Sequence, residues 1–468
     1  MSFMDSFSTF VDDVWYVVFA LVIILGLYST VRLKGIQFTQ IREMARVTFR
    51  GKDIRNKEKL SPFHVFCMSM GNRIGVGNIS GPVLAFIIGG PGAIFWMWIF
   101  AIIGMATSFL ESTIGQIYKS RTSNGEFHGG AAYNVSKGLG MKKMAIVVSV
   151  IMVLMYIVGF VSMEVCSMAE AATGAFDFEG NKLFFAVLFT AITAFVIIGG
   201  VKRVSNMAVS IVPVMAVLWL IICLIAIVFN YTNIPSAIAS IFVNAFSIPA
   251  SVGGGIGAML IIGMKRGILS NEAGIGTIPN ISSMADVRHP VAQGYSQALG
   301  VLIDTIICTL TALVIITCFE HTAFINTDAE SIPLLQDALQ HTFGSIASYL
   351  VALFLFIFAF TSLMTDYVIG ENNILHFTEK KWALMSMNII LLVVVFLSSF
   401  YSSDALFVVV DLMMIFCGLV NVPVMLKLGS RCVEALADYR RQRAEGVDEP
   451  EFHKSALSDS TGVTVWDD

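Results

Sequence analysis

The chain has 468 residues, of which 56% are hydrophobic and 13% charged, with 36 Phe and a formal net charge of −4; its mean hydropathy is +0.79. A water-soluble protein of this size carries about 25% charged residues, so the composition excludes a soluble globular enzyme and, by its sign, a nucleic-acid binder driven by overall charge. The short alternating segments that build membrane β-barrels are missing from the sequence, which leaves a polytopic α-helical membrane protein.

The first apolar stretch of spanning length is 14–33, preceded by Asp5, Asp12 and Asp13 and by no lysine or arginine. At about 20 residues it has the length of a bilayer-crossing helix, not of the shorter apolar core of a signal peptide. A basic, partly amphipathic segment at 32–60 follows and suits an anionic leaflet. Further spans are predicted at 63–88, 93–118, 144–172, 183–199, 204–229, 245–268, 291–319, 342–367, 382–400 and 405–428, eleven in all. With the N-terminus outside and the C-terminus inside, every lysine and arginine except Arg73 and Lys182 falls in an inner segment, as the positive-inside rule requires. The tail beyond Arg443 turns acidic and polar over 445–451 and reads as disordered. The seven cysteines form no CxxC pair and the seven histidines no HExxH, so no disulfide framework, zinc site or cofactor is expected.

Two spans are poorly suited to unbroken helices. The second carries Gly71, Gly75, Gly77 and Gly81 together with Asn72, Arg73, Asn78 and Pro82. Each glycine costs a helix about 1 kcal/mol relative to alanine. The seventh contains Ser251-Val-Gly-Gly-Gly-Ile-Gly257. Unwound backbone at membrane depth is tolerated only where it is packed in protein or lines a cavity. There a half-helix N-terminus offers N–H groups to an anion, and freed carbonyls hold a cation. Close helix packing through small residues is the competing reading; it is weaker for 71–81, where polar residues accompany the glycines. With the first span set aside, the two interrupted spans open two groups of five, and an odd group size inverts the second group. That is the sequence pointer to a secondary-transporter site. A membrane enzyme would need a nucleophile–base pair or a metal cluster. An ion channel usually repeats a filter loop across subunits, whereas here the glycine breaks occur once per half of one long chain.

Five separated strings then look familiar: Gly75-Val-Gly-Asn-Ile79, Gly89-Gly-Pro-Gly-Ala-Ile-Phe-Trp-Met-Trp98, Lys265-Arg-Gly-Ile-Leu-Ser-Asn-Glu-Ala-Gly-Ile-Gly276, His289-Pro-Val-Ala-Gln-Gly294 and Gly300-Val-Leu-Ile-Asp-Thr-Ile-Ile-Cys-Thr309. Through them the chain resembles the alanine/glycine:cation symporters, also called sodium:alanine symporters, over nearly its whole length. The resemblance implies an all-α polytopic fold of the leucine-transporter type, a 5+5 inverted repeat with one extra N-terminal helix. It divides the chain into an N-terminal helix and basic segment (1–61), a ten-helix core (62–428, with repeats 62–234 and 235–428) and a cytoplasmic tail (429–468). It implies uptake of a small zwitterionic amino acid coupled to Na⁺ across a bacterial or archaeal plasma membrane, with no obligatory protein partner. Coupling to H⁺ and a broader range including glutamine or serine stay open.

Site roles follow from that likeness. Backbone N–H groups of Gly75, Val76 and Gly77 would receive the substrate carboxylate, with Asn78 bracing the segment, and carbonyls around Gly253, Gly254 and Gly257 would accept from its ammonium. Thr361 and Ser362 resemble the hydroxyl pair that holds Na⁺ in this fold, with the Gly71 and Ile74 carbonyls opposite; hydroxyls bonded to their own helix are the alternative. Glu272 would lock an inner gate against a basic loop. Glu164 stands where the family leads one to expect glutamine, and Cys166 where it leads one to expect asparagine; an acid at Glu164 would balance Arg73 across the cavity, or bind the substrate's ammonium or a polar substrate side chain. An arginine in mid-span is costly without a partner. Arg73 is therefore expected to pair with an acid inside a span, among Glu164, Glu170, Asp304 and Asp366: Glu164 first, Asp366 as the leading alternative, or else to bond free carbonyls facing the cytoplasm. Asp304, also inside a span, has no assigned partner. Trp96 and Trp98 are expected at the membrane interface.

Overall fold

The computed structural model describes residues 3–50, 60–246, 255–319, 330–401 and 404–467. A long apolar helix, α1 (Phe3–Arg32), leads through α2 (Ile36–Thr39) and α3 (Ile41–Arg50) to a span in two pieces, α4 (Pro62–Arg73) and α5 (Val76–Gly89). Ser61 starts α4 by accepting the His64 N–H at 3.2 Å, and Pro62 occupies the first turn, where its missing N–H costs nothing. The next helix, α6 (Gly92–Ile117), leads to a small hairpin in which Ser120 faces His128 and Arg121 faces Phe127. After α7 (Ala131–Tyr133), α8 (Lys142–Leu154) and α9 (Val161–Ala175) are joined through a π-helical turn, Met155–Phe160.

The second half of the chain comprises α10 (Asn181–Ile197), α11 (Gly200–Phe229), α12 (Ile234–Ala245), α13 (Gly255–Asn271), α14 (Pro279–Ser282), α15 (Pro290–Cys318), α16 (Ser331–Phe343), α17 (Ile346–Leu375), α18 (Lys381–Ser398) and α19 (Asp404–Ala444). Among the described residues eight helical segments are long and apolar enough to cross a membrane, and α10 is apolar but shorter. The apolar windows of α6, α15 and α17 are 61–67% buried, against 33% for α11 and 28% for α18. The former therefore build the core, and the latter expose the apolar faces that a bilayer would cover.

Three sequence expectations change here. Of the glycine run at 251–257, residues 251–254 lie outside the described residues, and Gly255 and Gly257 are helical, in the first described turn of α13. The helix unwinds at its other end, after Asn271. Lys265 and Arg266, counted above as inner-loop cations, are buried within α13, where Lys265 Nζ lies 3.7 Å from Asp411 Oδ2. The tail is not disordered. α19 continues unbroken past Leu428 to Ala444, and the chain then folds back over one end of the bundle. Phe452 N–H donates to Arg288 O at 3.0 Å, and its ring sits between His289 (5.1 Å) and Trp466 (5.3 Å). The Trp466 indole donates to Gln116 O at 3.0 Å under the Lys119 ammonium, 4.7 Å from the ring. The aromatics, not the acidic stretch, decide the tail's fate, because each buries apolar area worth a few kcal/mol.

Candidate functional site

The centre of the molecule is the gap between α4 and α5. Ile74 leaves the helix at φ −81°, ψ 70° and Gly75 is extended at φ −115°, ψ −156°. The Gly75 N–H is satisfied by Arg73 O (3.0 Å) and Asn78 Oδ1 (3.2 Å), so the Asn78 side chain closes the break from the α5 side. The Asn78 amide in turn donates to Asp304 Oδ1 at 2.6 Å, and the Ser270 hydroxyl donates to both oxygens of the same carboxylate at 2.8–2.9 Å. Asp304, on α15, thereby ties the start of α5 to the end of α13.

The end of α13 is the second break, and it lies beside the first. Asn271 is its last helical residue. Glu272, Gly274 and Gly276 then adopt positive φ angles of 54°, 99° and 76°. This irregular backbone is held by Glu111 of α6. Its carboxylate accepts the N–H groups of Gly274 (3.3 Å) and Gly276 (3.2 Å) and the Asn421 amide (2.5 Å), while that amide also reaches Gly274 O at 3.0 Å. A fully buried carboxylate facing several N–H donors stabilises a segment whose backbone would otherwise lack partners. Sequence reasoning passed over Glu111. The signal was there: an acid inside an apolar span marks a functional position by default.

Arg73 joins the two breaks without an ion pair. It is 1% exposed. Its Nε donates to Asn271 O (3.1 Å), Nη1 to the main-chain and side-chain oxygens of Gln297 (both 3.1 Å), and Nη2 to Ser108 Oγ (3.0 Å). Gly300 makes the passage possible, since a Cβ there would overlap Nη1. The expected pairing with Glu164 or Asp366 is thus replaced by neutral acceptors, and the alternative of main-chain carbonyls holds at Asn271 and Gln297. Among the described residues Glu272 likewise meets no basic loop. It accepts from Tyr156 Oη, in the π-helical turn, at 3.0 Å.

Against the other side of the first break lies α17. The Ser362 hydroxyl donates to Gly71 O (3.0 Å) and Asn72 O (3.3 Å), and Thr365 Oγ1 reaches Met68 O (3.2 Å). Thr361 turns its hydroxyl to its own helix, at Phe358 O (2.9 Å). Glu164, from α9, brings Oε1 to 2.9 Å from the Cβ position of Gly75, beside the Ser362 hydroxyl. Glu164 Oε2 and Asp366 Oδ2 are buried and make no hydrogen bond. The structure therefore brings Gly71, Gly75, Glu164 and Ser362 together in the buried interior, with Ile74 and Val76 flanking Gly75 in the chain and Gly77 packed against Ser270 and Leu269 of α13; Asp366 lies one turn further along α17. Gly257, at the far end of α13, is not part of this convergence, and Gly253 and Gly254 lie outside the described residues. Cys166 donates to Ser398 O at 3.0 Å, and Trp96 and Trp98 bond Ala245 O and Thr309 Oγ1.

Two discontinuous helices meeting at a buried polar pocket in an apolar bundle define a secondary transporter. The chain shares its fold with MhsT, whose crystal structure is a complex with L-phenylalanine, at a TM-score of 0.51 and 16% identity over 89% of this chain and 94% of that one. The chain belongs to the sodium:alanine symporter family, whose model matches residues 1–454; it is thus one of a family of sodium-coupled amino-acid symporters and not an enzyme. Similar proteins include the probable sodium/glutamine symporter GlnT of Bacillus subtilis (39% identical, covering 95% of this chain and 92% of GlnT). The amino-acid carrier protein AlsT of the same organism is 37% identical (98% and 96%). The sodium/proton-dependent alanine carrier protein of Bacillus sp. PS3 is 31% identical (88% and 94%).

Proposed function

We propose that this protein couples Na⁺ entry to uptake of a small neutral amino acid by alternating access. The observation that carries the reading is the meeting of the two breaks, 74–75 and 271–277, over a pocket in which Ser362 Oγ stands on Gly71 O. In this reading Na⁺ sits among the Gly71 and Ile74 carbonyls and the Ser362 and Thr361 hydroxyls, hard oxygen ligands suited to such a cation. The amino acid lies between Gly75–Gly77 and the unwound end of α13. Asp366 Oδ2, buried without a partner, is an acceptor for its ammonium group. The chain crosses a bacterial or archaeal plasma membrane eleven times, N-terminus out, with α4/α5 and α13 opening two inverted groups of five helices. The basic residues near α3, the hairpin and the tail support this orientation. Likeness to GlnT keeps glutamine among the substrates to be tried beside alanine, glycine and serine.

The test is purified protein in liposomes, assayed for uptake of each labelled amino acid with and without an inward Na⁺ gradient. Accumulation above the external concentration identifies a symporter. Flux that only equilibrates would mean a channel, and accumulation indifferent to Na⁺ but driven by a pH gradient would move the coupling to H⁺.

A further inference from the structure

The pocket holds a charge that the symport reading leaves unexplained. Glu164 is 4% exposed. Its carboxylate stands beside Gly75, at the N-terminus of α5, where a substrate carboxylate would bind. Arg73, the arginine at this depth, spends its donors on Asn271, Gln297 and Ser108. Glu164 Oε2 has no partner. The other ionisable groups facing it, Asp366 on α17 and Glu272 beyond α13, are acids. A buried carboxyl group in such surroundings stays ionised only with a positive charge beside it, and is otherwise protonated.

The geometry shows where that charge fits. Gly75 has no side chain, and the space a Cβ would take is bounded by the Ser362 hydroxyl and by Glu164 Oε1, 2.9 Å from the Cβ position. Ser362 Oγ is 3.0 Å from Gly71 O. The Ser362 hydroxyl, bonded to the Gly71 carbonyl, and Glu164 Oε1 thus flank the same face of Gly75, where there is no side chain.

We propose that Glu164 is an anionic ligand of the Na⁺ seat at Gly71 and Ser362, and that its charge makes amino-acid binding depend on the cation. Without Na⁺, no positive charge at this helix end draws in a substrate carboxylate, and an ionised Glu164 repels it. With Na⁺ between them, the cation bridges both, and the helix N-terminus adds to the attraction. This rests on the sodium-coupled reading above.

The experiment measures ²²Na⁺ binding to detergent-purified protein in the absence of any amino acid, then labelled alanine or glutamine binding with and without Na⁺. The wild type should bind Na⁺ alone. Glu164→Gln should weaken that binding by about tenfold or more, as expected for loss of a charged partner, and should shrink the Na⁺ stimulation of amino-acid binding. Glu164→Asp, which keeps the charge on a shorter arm, should keep Na⁺ stimulation while changing the preference between Na⁺ and Li⁺. Folded Glu164→Gln protein with unchanged ²²Na⁺ binding would overturn the proposal. So would wild-type protein that binds ²²Na⁺ only once amino acid is present, a result that needs no variant. If amino-acid affinity alone fell, Glu164 would be a substrate ligand and not a cation ligand. Failure of the symport reading itself shows separately, as wild-type liposomes that accumulate no amino acid under a Na⁺ gradient.

Discussion

Replacing Gly75 by alanine adds one methyl group at the point where the cation seat and the broken helix meet. The backbone there, at φ −115° and ψ −156°, accepts any residue, so the cost arises from space alone. The new Cβ would overlap the Ser362 hydroxyl and stand 2.9 Å from Glu164 Oε1, closer than carbon and oxygen pack. Forcing a methyl group into packed surroundings costs about 1–3 kcal/mol. If that cost falls on the geometry that binds cation and substrate, affinity drops by about 5- to 150-fold, at 1.4 kcal/mol for each tenfold. Two neighbours calibrate the result. A Cβ on Gly77 meets nothing nearer than 3.8 Å, and one on Gly81 nothing within 4 Å. Gly77→Ala should therefore transport nearly normally, and Gly81→Ala, inside α5, should gain up to about 1 kcal/mol of helix stability. The assay is Na⁺-driven uptake in liposomes across a Na⁺ titration, with thermal melting in detergent to confirm folding. Gly75→Ala protein with wild-type Na⁺ half-saturation would refute the reasoning. Equal damage from all three substitutions would show a general need for glycine in the segment instead.

Ser362→Ala should raise the Na⁺ concentration for half-maximal uptake more than Thr361→Ala, because only the Ser362 hydroxyl leaves its own helix for Gly71 O; the same Na⁺ titration decides. Asn78→Ala and Asp304→Ala should each lower both uptake and melting temperature. The double variant should be less damaging than the sum of the singles by about 0.5–3 kcal/mol, as for residues in one hydrogen-bond network; additive losses in stability would deny that the 2.6 Å contact matters. Trp466→Ala should free the tail without unfolding the bundle, read as faster trypsin cleavage beyond Ala444 with uptake retained. A cleavage rate equal to wild type would mean that the indole does not hold the tail.

The sequence pointed to the first break because glycine, asparagine and arginine at membrane depth have no other good explanation, and α4 and α5 part within that string. The break after Asn271 was missed for a physical reason. Gly253–Gly257 carries the stronger helix-breaking composition, while Lys265-Arg266 mimics a membrane boundary; burial of Lys265 beside Asp411 removes that boundary and lets the helix run on to Asn271. Partners from distant helices were illegible. That Arg73 would bond Asn271, Gln297 and Ser108 depends on where three other helices pass it, and Glu111 gains its role only from a loop more than a hundred residues away. The tail shows the opposite failure: local polarity argued for disorder, while two aromatics found sites formed by elements far away in the chain.

The π-helical turn at Met155–Phe160 places both Tyr156, which reaches Glu272, and the helix that presents Glu164. Such a turn holds one residue more than an α-helical one, and each residue advances an α-helix by about 100°. Loss of a single codon there would leave α8 and α9 equally apolar and equally helical, yet rotate one against the other by more than a quarter of a circle. The carboxylate of Glu164 would then leave Gly75 for a neighbouring helix or the lipid, so the aim of this acid is written in the length of the gene as much as in its letters.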